Sequence, residues 1–139
     1  MHRVLRGVLI VVVLLTAACS DDTTTTTPTT TTTVLITEPP FVGMLGPNQL
    51  AGTYTFAVGG AGTVTATLAS ITPDGNALIG MSLGTWNGTA CAVVIASDQA
   101  TTGTSIPASL ASAGNLCVRA YVVNPLSTVE TYTIIVTHP

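Results

Sequence analysis

The sequence predicts an all-β protein, an antiparallel β-sandwich of roughly six to eight strands. Three observations lead there. Segments rich in Val, Ile, Thr, Tyr and Ala follow one another at short intervals, and several alternate with a period of two. Glycine, proline, asparagine and aspartate cluster between them as turn signals. No stretch shows an apolar helical repeat with caps. In chain order the expected strands are "GTYTFAV" from Gly52, "GTVTATLAS" from Gly62, "ALIGMSLGTW" from Ala77, "TACAVVIAS" from Thr89, "NLCVRAYVV" from Asn115 and "ETYTIIVT" from Glu130. Side chains of a strand point alternately to its two faces. Tyr54, Phe56 and Val58 therefore share one face and Thr53, Thr55 and Ala57 the other, while Val64, Ala66, Leu68 and Tyr132, Ile134, Val136 mark two more core faces. Turns are expected at Gly59–Gly62, at Pro73–Asn76, at Asn87-Gly88, where Asn-Gly suits a hairpin, at Ala113–Asn115 and at Asn124-Pro125.

Ahead of this domain, residues 1–18 have the layout of a signal peptide. A basic end with His2, Arg3 and Arg6 leads into the apolar run Val8–Ala18 and then Cys19. That run is far shorter than the roughly 20 residues a membrane-spanning helix needs, so it suits a cleaved segment better than a permanent anchor. Thr16, Ala17 and Ala18 before Cys19 are all small, and with the cysteine they resemble the lipobox of bacterial lipoproteins. The resemblance implies that Cys19 is lipid-modified and becomes the mature N-terminus, tethering the protein to a membrane. The same resemblance implies the outer membrane, where the host has one, because Ser20 stands directly after the cysteine and the aspartates come only at Asp21 and Asp22. The rival reading is an ordinary secretory signal beside an accidental cysteine.

Residues 19–49 are expected to be a flexible tether. Thr23–Thr33 reads "TTTTTPTTTTT", with no apolar side chain to join a core, and its β-branched residues and Pro28 favour an extended chain of roughly 3 Å per residue. The β domain is expected to occupy residues 50–139.

Only 6% of the residues are charged, lysine is absent, and the arginines are Arg3, Arg6 and Arg119 alone. A nucleic-acid role is excluded on this ground, because phosphates would find nothing to neutralise them. The opening "AGTYTFAV", the "AGNLCVRAY" strand and the closing "YTIIV" resemble the bacterial pre-peptidase C-terminal domain group over about residues 50–137. That resemblance implies a jelly-roll-like sandwich, usually non-catalytic, with roles in secretion, folding or attachment to polymers. Some members hold calcium, but the acidic residues here come down to Asp74, Asp98 and Glu130, and no metal or other cofactor is assigned.

With Cys19 taken by lipid, Cys91 and Cys117 remain as a pair in an exported chain, and a disulfide follows. Each comes soon after a turn, which would let them meet at one end of the sandwich. Zinc lacks ligands, since the only histidine after His2 is His138 and no C-x-x-C occurs. A Ser-His-Asp enzyme would have to recruit His138 from an end expected to fray, and no G-x-S-x-G elbow is present. No catalytic residue is assigned. Asp74 is accounted for by a turn and Glu130 by a strand start, and the "NGT" sequon at Asn87 by a hairpin.

Trp86, the only tryptophan, has two readings: a stacking platform for a sugar, or a plug or edge cover beside a turn, which is the commoner fate. Arg119 should face outward with Cys117 and Tyr121 while Val118, Ala120 and Val122 face in, and Glu130 is its expected partner. Trp86 and Tyr121 are thus the candidate ligand-binding residues. The sequence as a whole points to a non-enzymatic, lipid-anchored envelope protein whose sandwich binds a polysaccharide or an envelope protein. The alternatives are a structural lipoprotein without a ligand of its own, and a small hydrolase.

Overall fold

A computed structural model of the chain describes residues 32–139. The signal segment, Cys19 and the threonine tract up to Thr31 lie outside the described residues. Within them the protein is all-β, with two antiparallel sheets packed face to face. The strands are β1 (Ile36–Thr37), β2 (Phe41–Leu45), β3 (Ala51–Val58), β4 (Gly62–Thr72), β5 (Ile79–Trp86), β6 (Cys91–Ala100), β7 (Ser105–Leu110), β8 (Gly114–Tyr121) and β9 (Glu130–His138). One sheet runs β1-β9-β4-β7, with β2 also paired to β9; the other runs β3-β8-β5-β6. Apart from the β5–β6 hairpin, consecutive strands from β2 to β9 alternate between the sheets. This is the jelly-roll arrangement of two interleaved Greek keys.

The alternation read from the sequence sets the inner faces. Val64, Ala66 and Leu68 of β4, and Tyr132, Ile134 and Val136 of β9, are buried against Phe56 and Val58 of β3, Met81 and Leu83 of β5, and Leu116, Val118 and Ala120 of β8. On β4 the buried positions then change from even to odd, from Leu68 to Ile71, because a bulge shifts the register against β9 between Leu68 and Ser70. One extra residue on one strand turns every later side chain to the other face.

The sandwich begins earlier than residue 50. β1 pairs Ile36 with His138, β2 pairs Phe41–Leu45 with Ile134–Glu130, and Leu45 is fully buried. The expected tether therefore ends before Ile36. Pro39 and Pro40 interrupt the alternation in the sequence, yet they fall between β1 and β2 at the sheet edge, where no ladder N–H is required. β7 was not expected either. It carries Pro107, which β7 accommodates because it is the edge strand beside β4.

The turns follow their sequence signals. Asp74 Oδ1 accepts from the Asn76 N–H and the Asp74 carbonyl from the Ala77 N–H. In the β5–β6 hairpin, Asn87 Oδ1 accepts from the N–H groups of Thr89 and Ala90, and Gly88 takes a positive φ of 96°.

Candidate functional site

The chain has six aromatic residues, and the fold divides them into two groups. Phe41, Phe56, Tyr54 and Tyr132 close the seam where β2, β3 and β9 meet. Phe41 stacks on Tyr54 with ring centroids 5.2 Å apart, and Tyr132 meets Tyr54 edge-on at 6.4 Å. Their hydroxyls are satisfied internally: Tyr132 donates to Tyr54, which donates to the Val42 carbonyl at 2.7 Å. Burial first, and the Tyr54 hydroxyl second, push the Tyr132 phenol well above its ordinary pKa. Trp86 and Tyr121 are the other two, and both stand on the outer face of the β3-β8-β5-β6 sheet.

That face is built by register. Thr53, Arg119, Ser82 and Ala96 lie in one row across its four strands, and Thr55, Cys117, Gly84 and Val93 in the next. The inward neighbours Met81, Leu83, Val118 and Ala120 are in the core, so these rows point out. Small residues on β5 let the side chains of β8 lean across it. A Cβ on Gly80 would lie 2.1 Å from the Tyr121 ring, and the Tyr121 hydroxyl donates to Asp98 on β6. Burial, reinforced by the bond to Asp98 and the nearby negative charge, pushes the Tyr121 phenol up to about 12, against a smaller opposing pull from Arg119. The Ser82 hydroxyl in the row beside it is buried without a partner.

Cys91 and Cys117 form the expected disulfide, with Cα atoms 5.8 Å apart. Its position is not the expected strand end. Cys91 opens β6, but Cys117 sits mid-strand in β8, and the bond joins the two neighbours of β5. The strands draw together beside Gly84, where a Cβ would lie 2.2 Å from the Ala92 carbonyl oxygen. Glycine is required there by the close approach, not by its backbone angles.

Trp86 ends β5 opposite Cys91 and does not enter the core cluster. Its indole stands between two hollows that share it and Thr55. One, of about 340 Å³, is completed by Thr53, Thr89, the Cys91 side and Arg119. The other, more open and about 610 Å³, is completed by Ala57, Asn87 and Asn115. Arg119 is exposed, with Cζ 5.7 Å from the centre of the Tyr121 ring. The face thus brings together the two sequence-predicted residues and adds Arg119 between them. Thr53, Thr55 and Asn115 belong to it as well; their only signal in the sequence was alternation with core residues.

Other expectations are corrected. Arg119 does not pair with Glu130. The carboxylate is on β9 of the opposite sheet, 2% exposed, and accepts from the Asp74 N–H and the Thr128 hydroxyl. His138 does not fray. It is 2% exposed, stacks on Phe56 with centroids 5.8 Å apart, and places its two ring nitrogens 2.9 Å from Glu38 Oε1 and the Pro139 carbonyl oxygen. The contact fastens the β1–β2 connection to the end of β9. Among the described residues, no three of His, Cys, Asp or Glu converge as metal ligands would.

A further cavity, about 250 Å³, opens between the sheets on the side of β6 and β7. It is lined by aliphatic side chains such as Leu83, Val94, Leu110 and Leu116 and by no charged group, so it offers less to orient a ligand than the outer face does. Comparison with known proteins leaves the site to its own geometry: no family model and no curated protein matches the chain.

Proposed function

We propose that the protein is a non-catalytic, lipid-anchored component of a bacterial cell envelope that presents its sandwich as a polysaccharide-binding module. The observation that carries the reading is the outer face holding Trp86, Arg119 and Tyr121 among threonine and asparagine side chains. The uncovered part of the half-buried Trp86 indole offers an apolar surface to the C–H face of a pyranose ring, and neighbouring hydroxyls and amides can exchange hydrogen bonds with the sugar's own hydroxyls. Such a shallow surface suits a polymer that runs across it better than a small molecule that must be enclosed. The likeness to the pre-peptidase C-terminal group supports the same reading, as does the order of basic end, apolar run, small residues and Cys19. Lipid at Cys19 would hold the module at the outer membrane, and the threonine tract would set it off the surface.

Two measurements test this. Replacing Cys19 with alanine should move the protein from the detergent phase to the aqueous phase in phase partition. Affinity electrophoresis of the full chain through gels containing polysaccharides should show retardation that Trp86→Ala abolishes. A wild-type protein that is retarded by none of them, or one already found in the aqueous phase, refutes the corresponding half of the proposal.

A further inference from the structure

We infer that the face between Trp86 and Arg119 takes an anionic sugar, a polysaccharide whose rings carry carboxylate groups. The inference rests on the polysaccharide reading above and adds the charge of the ligand. Arg119 is the only lysine or arginine after Arg6, and residues 32–139 set it against Glu38, Asp74, Asp98 and Glu130. Three of those carboxylates are engaged away from it. Glu38 contacts His138, Glu130 accepts from Asp74 and Thr128, and Asp74 holds its own turn. Asp98 shares the sheet with Arg119, but accepts the Tyr121 hydroxyl. Among the described residues the guanidinium makes no ion pair and no hydrogen bond.

An acidic domain that keeps one cation unpaired beside its only tryptophan has the means to bind an anion there. The tyrosine ring against Arg119 limits its motion, so less freedom is lost when the guanidinium fork meets a carboxylate. A uronate ring carries an apolar C–H face and a carboxylate on the same small frame. Its face can lie on the indole while its carboxylate reaches the guanidinium, because both groups line the same hollow of about 340 Å³. Thr53, Thr55 and Thr89 supply hydroxyls to the rest of the ring. A neutral sugar would leave Arg119 unpaired, and a nucleic acid would find a single cation.

Since Trp86 is the only tryptophan, tryptophan emission of the full chain reports on the surroundings of this one indole, which the hollow with Arg119 shares. Titration with polygalacturonate, alginate and hyaluronate, each beside its esterified neutral form, tests the inference. At low salt at least one acidic polymer should shift the emission and bind roughly tenfold or more tightly than its ester, as a charge-assisted bond requires. The preference should shrink near 1 M salt, where the screening length falls to about 3 Å. Arg119→Gln should remove the preference for the acidic over the neutral form, with an unchanged far-ultraviolet circular dichroism spectrum, and Arg119→Lys should restore part of it. Equal binding of acidic and neutral forms, or a preference that survives Arg119→Gln, overturns the anionic ligand and leaves the polysaccharide reading in place. Binding of neither form overturns both.

Discussion

The seam between β2, β3 and β9 and the outer face of the β3-β8-β5-β6 sheet use the same kind of side chain to opposite ends. In the seam, Tyr54 and Tyr132 stack, pass their hydroxyl bonds to each other and to the Val42 carbonyl, and lie so close to β2 and β3 that a Cβ on Gly43 or Gly52 would stand 2.3 or 2.2 Å from a tyrosine oxygen. On the outer face, Trp86 and Tyr121 are half-buried, as Phe41 and Tyr54 are, but Arg119 makes no ion pair among the described residues and two hollows share the indole. The contrast teaches that aromatic residues seal a sandwich where they stack on one another and on the core, and that on the outer face a half-buried ring beside an exposed charge leaves the surface on which the proposed binding rests.

The comparison breaks first at Tyr132. Tyr132→Ala should cost about 3–5 kcal/mol of stability, measured by denaturant unfolding, since it empties a fully buried aromatic position and removes the bond that Tyr132 donates to Tyr54. A loss below about 1 kcal/mol would mean that the seam does not hold the sheets together. The disulfide should matter nearly as much. Cys91 and Cys117 are 26 residues apart in sequence. Replacing both with alanine should cost roughly 3–4 kcal/mol in the chain-entropy model. Intact-mass analysis of the denatured, unreduced wild type should show neither cysteine open to an alkylating reagent.

Two glycine substitutions sharpen the same contrast. Gly52→Ala should cost about 1–3 kcal/mol by overpacking the tyrosine contact, whereas a Cβ on Gly59 meets nothing within 4 Å and its replacement should be close to neutral. Equal effects at the two positions would contradict the close packing of the seam. On the face, Trp86→Ala should change stability by less than about 1 kcal/mol while removing polysaccharide binding, the reverse of the seam variants.

The smallest effect is an alkaline one. The Tyr121 phenol is raised from 10 to about 12 in the folded protein. The unfolded chain therefore gives up this proton first: the stabilisation is complete below pH 10 and is lost as the pH rises through about 12. Tyr121→Phe should flatten part of the decline in unfolding free energy across that window, and an unchanged slope would show that burial and the bond to Asp98 do not together raise the Tyr121 phenol.

What the sequence determined by itself is what period two and turn chemistry encode locally: the six long strands, the faces of β3, the first half of β4 and β9, the Asn87 hairpin, the outward side of Arg119, and the cysteine pair by count. These need only neighbours along the chain, because successive side chains must alternate and Asn, Asp and Gly must supply their own turn bonds. Tertiary structure decided the rest. β2 has too few alternating residues between prolines to announce itself, and it becomes a strand because β9 offers a free ladder edge. β7 tolerates Pro107 only as an edge strand, His138 is buried only because Phe56 and Glu38 meet it, and Glu130 is held by a turn from across the chain. The candidate site belongs to the same class. Trp86 and Arg119 are far apart in sequence, and they share a hollow only because β5 and β8 are paired in one register, which pairing between distant segments settles and local pattern does not.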